Sequence, residues 1–217
     1  MKQIFKKNLT FFVPTIIIWL VVLACVLTTS KFDQMQFINS HNDLWADYFF
    51  VGATQLGEGW FWAAIILLFL FVSYNRALIF TASLVLSTLL STSLKFFFDT
   101  LRPIAFFRNI KANWHLVEGI DINVHLSFPS GHTTTAFAIF TMLTLFSKNK
   151  NWGFVFVMLA WLTGYSRCYL FQHFPEDVLG GVIIGVFSSI IVYIWLMNLH
   201  TKNPKAWHKK RLLGSGE

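Results

Sequence analysis

The feature that most constrains the fold of this chain is a recurrence of apolar segments close to the length of a bilayer. A helix needs about 20 mostly apolar residues to cross the hydrocarbon core. Hydropathy places six such segments along the sequence: Leu9–Thr29, Trp60–Tyr74, Ala77–Phe98, Gly131–Ser147, Trp152–Tyr169 and Asp177–Leu199. No separate soluble domain fits between them. The sequence therefore predicts an all-α polytopic membrane protein, a six-transmembrane-helix bundle forming a single domain over residues 1–213.

The composition agrees with a membrane protein. Of the 217 residues, 55% are hydrophobic and 12% are charged, whereas a soluble domain carries about 25% charged residues. The chain is basic, with 17 Lys and Arg against 10 Asp and Glu. Basic residues that flank membrane spans explain this excess, so we predict no nucleic-acid partner. No sequence feature predicts an obligate protein partner.

The second apolar segment, Trp60–Tyr74, is short for a span. It begins earlier, near Phe49, if Glu58 faces protein or water. The stretch Asn39–Phe50 mixes aromatic and acidic residues, a pattern that favours a helix lying at the outer membrane surface.

The distribution of basic residues predicts the orientation of the bundle. With the N-terminus inside, the inner segments hold Lys2, Lys6, Lys7, Arg76, Lys148, Lys150, Lys202, Lys205, Lys209, Lys210 and Arg211. The outer segments hold only Lys31, Lys95, Arg102, Arg108, Lys111 and Arg167. Cytoplasmic loops are rich in Lys and Arg. We therefore expect both termini in the cytoplasm of a multi-pass inner (plasma) membrane protein.

The two ends of the chain and its cysteines have simple interpretations. The Lys-rich start and first apolar run resemble a signal peptide, but the run is long enough to span and no cleavage site is clear, so we expect a retained helix. Residues 214–217 resemble the remnant of an expression tag. Cys25 and Cys168 are predicted to be free thiols, because neither a disulfide framework nor metal-ligand spacing is present. We predict no metal and no cofactor.

The predicted orientation places every candidate polar residue on the outer face. Lys95 and Arg102 are seven residues apart, which is two turns of a continuing helix, so both could reach one anion. Ionisable groups this close to hydrocarbon are usually paired or functional. The alternative is that Lys95 extends to the interface only to reach water.

The tetrapeptide Pro129–His132 opens the fourth segment. Ser130 can cap the helix, and Gly131 allows backbone amides to approach a ligand closely. Helix N-termini bind phosphate through free N–H groups. An ordinary Ser cap followed by a histidine is the simpler explanation for this tetrapeptide alone.

The end of the fifth segment and the start of the sixth carry Arg167, His173 and Asp177. Asp177 is four residues after His173 and can accept a hydrogen bond from its ring. That bond would fix the tautomer and leave the other ring nitrogen as a nucleophile. A capping Asp beside a surface His is the alternative, but it does not explain why a lysine, two arginines and a second histidine share this face.

Together these residues resemble a known family signature. The motifs are Lys95-x6-Arg102-Pro103, Pro129-Ser130-Gly131-His132 and Ser166-Arg167-x5-His173-x3-Asp177. They are similar, in order and without departure, to the three-part signature of the type 2 phosphatidic acid phosphatase superfamily. Its integral-membrane branch consists of lipid phosphatases. The resemblance covers the half of the chain from Lys95 to Asp177.

The resemblance implies a metal-independent mechanism and a role for each matching residue. His173 would be the nucleophile that forms a phosphohistidine, with Asp177 orienting it. His132 would protonate the leaving oxygen and then activate water. The phosphate oxygens would be held by Lys95, Arg102, Ser130, Gly131 and Arg167. The expected substrate is a membrane lipid phosphate: phosphatidic acid, phosphatidylglycerophosphate, undecaprenyl pyrophosphate or lipid A.

Two other functions are compatible with the same residues. A lipid phosphotransferase would use the same site with a different acceptor. A transporter of a phosphate-bearing solute would need the cations but not the spacing of His173 and Asp177. Vanadate-dependent haloperoxidases have similar motifs but are expected to be soluble, so the mean hydropathy of +0.58 argues against them.

Overall fold

The computed structural model describes residues 1–214, which contain α-helices and short turns but no strand. The all-α prediction is therefore confirmed for this part of the chain; residues 215–217 of the predicted tag remnant lie outside it. The helices are α1 (Lys2–Lys7), α2 (Leu9–Thr28), α3 (Lys31–Ser40), α4 (Leu44–Thr54), α5 (Gly59–Val72), α6 (Tyr74–Phe98), α7 (Pro103–Phe106), α8 (Gly131–Phe146), α9 (Trp152–Tyr169) and α10 (Pro175–Lys202). A 3₁₀ turn, Gln55–Gly57, joins α4 to α5.

Membrane-spanning length is clear for some helices and marginal for others. By length and hydropathy, α2, α6 and α10 can each cross a bilayer, and α4 with α5, which bend by 51° at their junction, count as a fourth span if the pair crosses as one. Helices α8 and α9 have 16 and 18 residues, or about 24 and 27 Å at 1.5 Å per residue. The count of six spans and the position of the termini remain predictions.

The helix boundaries follow the hydropathy closely, with one exception. Helix α9 has the predicted limits, and α6 and α10 differ from theirs by two to three residues at each displaced end. The predicted surface helix Asn39–Phe50 is wrong, because the chain breaks at His41–Asp43 and α4 begins after it. Asp43 caps the new helix by accepting a hydrogen bond from the Trp45 backbone N–H.

Helix α8 is the centre of the bundle. It packs against α6, α9 and α10, and its apolar side chains are buried on all sides, as expected for a helix surrounded by others. Those buried side chains include Ala136, Phe137, Ala138, Ile139, Phe140 and Met142. Burial of this helix fixes the position of its N-terminus, where the motif residues lie.

Two glycines bring the backbones of α8 and α10 into direct contact. A Cβ at Gly181 would lie 2.8 Å from the carbonyl oxygen of Ser130, and one at Gly185 would lie 2.5 Å from that of Thr134. Small residues allow this close approach between membrane helices. As a result, the Ser130 backbone N–H donates to the carbonyl oxygen of Asp177 at 3.0 Å, which ties the starts of the two helices together.

Replacing Gly185 by alanine should destabilise the bundle. The added methyl group meets backbone atoms that cannot rotate away, so we expect a loss of about 1–3 kcal/mol and a lower midpoint of thermal unfolding in detergent. The matched control is Gly52→Ala in α4, where a Cβ would meet nothing within 4 Å. Gly52→Ala should leave the midpoint unchanged or slightly raised. Equal midpoints for both variants would contradict the close packing of α8 on α10.

Candidate active site

The residues that sequence analysis assigned to the site lie together at one end of the bundle. They come from the end of α6, the loop that follows it, the start of α8, the end of α9 and the start of α10. Hydrogen bonds join the loop before α8, the turn after α9 and the start of α10. The structure therefore brings Lys95, Arg102, Ser130, Gly131, His132, Arg167, His173 and Asp177 into one neighbourhood.

His173 and Asp177 form a buried pair. The Nδ1 atom of His173 is 3.4 Å from the Oδ2 atom of Asp177, and both side chains are almost fully buried. The same Oδ2 atom accepts hydrogen bonds from the Ser127 hydroxyl at 2.6 Å and from the Phe174 backbone N–H at 2.8 Å. A carboxylate beside Nδ1 favours a proton on that atom. The Nε2 atom then keeps its lone pair, as a nucleophile requires.

A tight turn after α9 places His173 near Arg167. Phe171 adopts the left-handed conformation, with φ of 58°. The backbone N–H groups of Gln172 and His173 then both donate to the Arg167 carbonyl oxygen, at 2.9 and 3.2 Å. The chain folds back on the end of α9, so the nucleophile candidate and the cation come from adjacent turns.

The surroundings of His173 keep its ring neutral. Burial, followed by the positive charges of Arg102, Arg167 and Lys95, lowers the pKa of His173 well below its ordinary value of 6.5. Both influences disfavour a charged imidazole. At neutral pH the ring therefore has a free electron pair, which a protonated ring would lack.

Lys95 and Arg102 reach the site by a different route from the predicted one. Helix α6 ends at Phe98, and Asp99 is in the left-handed conformation with φ of 38°, so no continuous helix joins the two cations. Instead, both bind the loop before α8. Lys95 Nζ donates to the Leu126 carbonyl oxygen at 2.6 Å, and Arg102 Nε donates to that of His125 at 3.0 Å.

The guanidinium groups of Arg102 and Arg167 are buried but have only neutral partners. Arg102 Nη1 donates to Gln172 Oε1 at 2.8 Å, and Arg167 Nη1 donates to Thr54 Oγ1 at 2.8 Å. The Nε atom of Arg167 is buried without a partner. Within residues 1–214, neither arginine nor Lys95 forms an ion pair. A buried cation is costly unless it is paired, so this cluster is suited to an anion.

The start of α8 faces the same cluster. Ser130 caps the helix, and its Oγ atom accepts a hydrogen bond from the Thr133 hydroxyl at 2.9 Å. A Cβ at Gly131 would meet only Lys95 Cε, at 3.8 Å. Beside them, a cavity of about 180 Å³ is bounded by Ser91, Lys95, Gly131 and His132 among others. It exceeds the roughly 150 Å³ that admits benzene in an engineered protein cavity.

Several contact residues escaped the sequence analysis. Ser127 binds Asp177, Gln172 binds Arg102, Thr54 binds Arg167, and Glu58 lies 2.8 Å from His132. Of these, only Glu58 had a usable signal, since a carboxylate inside an apolar segment is expected to have a specific partner. The other three are neutral polar residues whose roles depend on tertiary contacts.

The structure offers no alternative centre of metal or thiol chemistry in the part that it describes. Residues 1–214 contain no group of three His, Cys, Asp or Glu side chains placed to share a metal ion. Cys25 is exposed on α2 and Cys168 is buried in α9, and neither is in a disulfide. The polar cluster around His173 is thus the candidate active site.

Two curated proteins have sequences similar to part of this chain. Undecaprenyl-diphosphatase BcrC of Bacillus subtilis (strain 168) is 36% identical over 67 residues, which cover 31% of this chain and 34% of that protein. The lipid A 1-phosphatase of Rhizobium etli is 31% identical over 144 residues, covering 64% of this chain and 59% of that protein. The chain therefore spans about a third of the first relative and under two thirds of the second.

The fold and the sequence family point the same way. The crystal structure of LpxE from Aquifex aeolicus superimposes with a TM-score of 0.66 at 29% identity, over 78% of this chain and 98% of that one. The matched family model covers residues 76–201, more than half of this chain and all of the motif region. These findings establish that the chain belongs to the PAP2 superfamily.

Proposed function

We propose that this protein is an integral-membrane lipid phosphatase that works through a phosphohistidine. The observation that carries the proposal is the group of three cations without carboxylate partners, Lys95, Arg102 and Arg167, around the buried neutral ring of His173. Phosphoryl transfer needs positioning and charge stabilisation around the phosphate oxygens. The cluster offers both, and the names of the relatives, an undecaprenyl-diphosphatase and a lipid A phosphatase, agree with it.

The proposed reaction has two steps. In the first, His173 Nε2 attacks phosphorus, the bond to the leaving oxygen breaks, and His132 gives that oxygen a proton. In the second, water attacks the phosphohistidine, His132 takes a proton from the water, and the P–N bond breaks to release phosphate. Asp177 holds the His173 ring and balances its positive charge in the intermediate. Acid–base assistance of this kind contributes about 10²–10⁴-fold.

Each cation has a distinct place in this proposal. Arg167 offers its unpartnered Nε–H, and Arg102 is held by Gln172 with its remaining N–H groups free to reach an oxygen. Lys95 and the backbone N–H of Gly131 bind the phosphate from the side of α6 and α8. Ser130 adds its hydroxyl. This set of donors replaces the charge that Mg²⁺ supplies in other phosphoryl-transfer sites.

The membrane sets the geometry of substrate access. We propose six spans with both termini in the cytoplasm, which places the site at the outer face of a bacterial inner membrane. The phosphate would enter from the outer leaflet while the lipid chain stays in the bilayer. The candidate substrates are phosphatidic acid, phosphatidylglycerophosphate, undecaprenyl pyrophosphate and lipid A.

Purified protein in mixed micelles is expected to release inorganic phosphate from at least one of these lipids in the presence of EDTA. The side-chain cations make added metal unnecessary, so EDTA should change the rate less than twofold. Phosphate is measured over time for each lipid, and the preferred lipid identifies the substrate class.

Loss of phosphate release on chelation, with recovery on adding Mg²⁺, would contradict the metal-independent mechanism. Transfer of radiolabelled phosphoryl group to a second lipid without free phosphate would show a phosphotransferase instead. Binding of the lipid without turnover of any kind would favour the transport function.

A further inference from the structure

Glu58 is placed against the second histidine of the site by a part of the chain outside the matched family segment. Its Oε1 atom lies 2.8 Å from the Nε2 atom of His132. The matched segment begins at residue 76, so the contact is not contained in the three motifs. Glu58 lies at the corner where the α4 and α5 axes bend by 51°.

The carboxylate of Glu58 bonds to His132 rather than capping α5. Glu58 is the N-cap residue of α5, but its side chain makes no capping hydrogen bond. Its side-chain hydrogen bond within residues 1–214 is the one to His132. The carboxylate therefore contacts a histidine on another helix and does not cap the start of its own helix. This placement indicates a role at His132.

The corner that carries Glu58 is packed tightly against the site. A Cβ at Gly57 would lie 2.7 Å from the carbonyl oxygen of His132, so the turn fits against α8 only with glycine there. Three residues earlier, Thr54 accepts a hydrogen bond from Arg167 at 2.8 Å. Contacts at Thr54, Gly57 and Glu58 fix the corner relative to both α8 and α9.

The charges around His132 explain why such a partner is needed. Lys95 borders the same cavity as His132 from α6, and Arg102 and Arg167 belong to the same group of cations. Nearby positive charges disfavour a positive charge on His132, and Glu58 is the carboxylate in contact with it. An opposite charge within about 4 Å favours the charged form of a group.

We propose that Glu58 is a positioning residue that turns His132 correctly and stabilises its charged form for its role as general acid. This inference rests on the proposed phosphatase mechanism. The Nε2–H of His132 donates to Glu58, so the Nδ1–H faces the leaving oxygen. As the P–O bond breaks, its electron pair stays on oxygen and takes the Nδ1 proton. When water attacks the phosphohistidine, Nδ1 accepts the water proton and the charged pair is restored.

The test compares two substrates that differ in their need for a proton. One is an alkyl phosphate, whose alkoxide leaves poorly without protonation; the other is a nitrophenyl phosphate bearing the same alkyl chain, whose phenolate leaves unaided. For Glu58→Gln we expect a loss of about 10²-fold in kcat with the alkyl phosphate and less than threefold with the nitrophenyl ester. Glu58→Asp should recover part of the lost rate. Because Glu58→Gln removes the neighbouring negative charge, His132 should also lose its proton at a lower pH in this variant than in the wild type.

Two reference variants accompany the test. Glu118→Gln removes the same charge from an exposed position on the loop before α8 and should behave as the wild type on both substrates. His132→Ala should show the same selective loss on the alkyl phosphate, and adding Glu58→Gln to it should cost little more. Non-additivity of this kind identifies residues that act through one another.

Specific results would overturn the inference. An equal loss on both substrates would mean that Glu58 only supports the fold, and unchanged rates would mean that it has no role. A full additional loss in the double variant would show that Glu58 acts independently of His132. A wild type inactive on both substrates would instead overturn the proposed phosphatase function, and the inference with it.

Discussion

His173→Ala is expected to reduce phosphate release by at least about 10⁴-fold, because it removes the atom that we propose bonds to phosphorus. The ring is buried, neutral and oriented by Asp177 and Ser127. A water molecule in the space left by alanine would not be held against phosphorus in the same geometry. Phosphate release from the preferred lipid in mixed micelles measures the loss. Rapid quenching of the wild type with labelled substrate should trap an acid-labile, base-stable phosphoprotein that His173→Ala lacks.

The control for this prediction is His41→Ala. His41 is exposed at the end of α3 and bonds only to neighbours on its own helix, so its loss should leave both turnover and labelling intact. Both variants should elute from a detergent column at the wild-type volume. Labelled phosphoprotein in His173→Ala at the wild-type level would remove His173 from the role of nucleophile.

Asp177→Asn is expected to slow turnover by about 10²–10⁴-fold while inorganic phosphate still binds. The amide oxygen can still accept hydrogen bonds from Ser127 and Phe174, so the start of α10 should remain folded. It cannot balance a positive ring, and its NH₂ group can stabilise the wrong tautomer of His173. An Asp-to-Asn change of this kind costs about 10⁴-fold in a serine-protease triad.

Phosphate affinity separates a chemical defect from a structural one. The cations proposed to bind phosphate are unchanged in Asp177→Asn, so the dissociation constant measured by calorimetry should shift less than tenfold. A wild-type rate would exclude the orienting role of Asp177. A large loss of phosphate binding would show that the site as a whole had been disturbed.

Much of the bundle could be predicted from hydropathy because the membrane imposes a simple rule. Backbone polar groups in hydrocarbon must bond within their own helix, so long apolar segments become helices with little influence from their neighbours. The limits of α9 followed from this rule alone. The break at His41–Asp43 did not, because it depends on a local cap at Asp43 rather than on hydrophobicity.

The proximity of the motif residues could be predicted from the sequence, because each lies at the end of an apolar segment and on the same predicted face. The reason given for Lys95 and Arg102 was wrong, since α6 ends between them and both bind the loop before α8. Helix termination by Asp99 is a single-residue conformation that apolar patterning does not predict. The correct neighbourhood was reached because both side chains still lie near the C-terminal end of α6.

The contacts of Glu58, Thr54 and Ser127 could not be predicted because their partners are distant in sequence. Glu58 and His132 are 74 residues apart, and Thr54 and Arg167 are 113 apart. No local pattern records such a pairing. It follows from the bend between α4 and α5 and from the close fit of Gly57 on α8, which only the packed structure contains.

The single oxygen atom Asp177 Oδ2 links the folding of α10 to the orientation of His173. It caps the first turn of that helix through the Phe174 backbone N–H, and it is also the atom that faces His173. Whenever the first turn of α10 frays, His173 loses its orientation at the same moment. Under the proposed mechanism, the fraction of molecules able to react cannot exceed the fraction in which this turn is formed. Hydrogen exchange at the Phe174 amide would therefore give an upper limit to the active fraction.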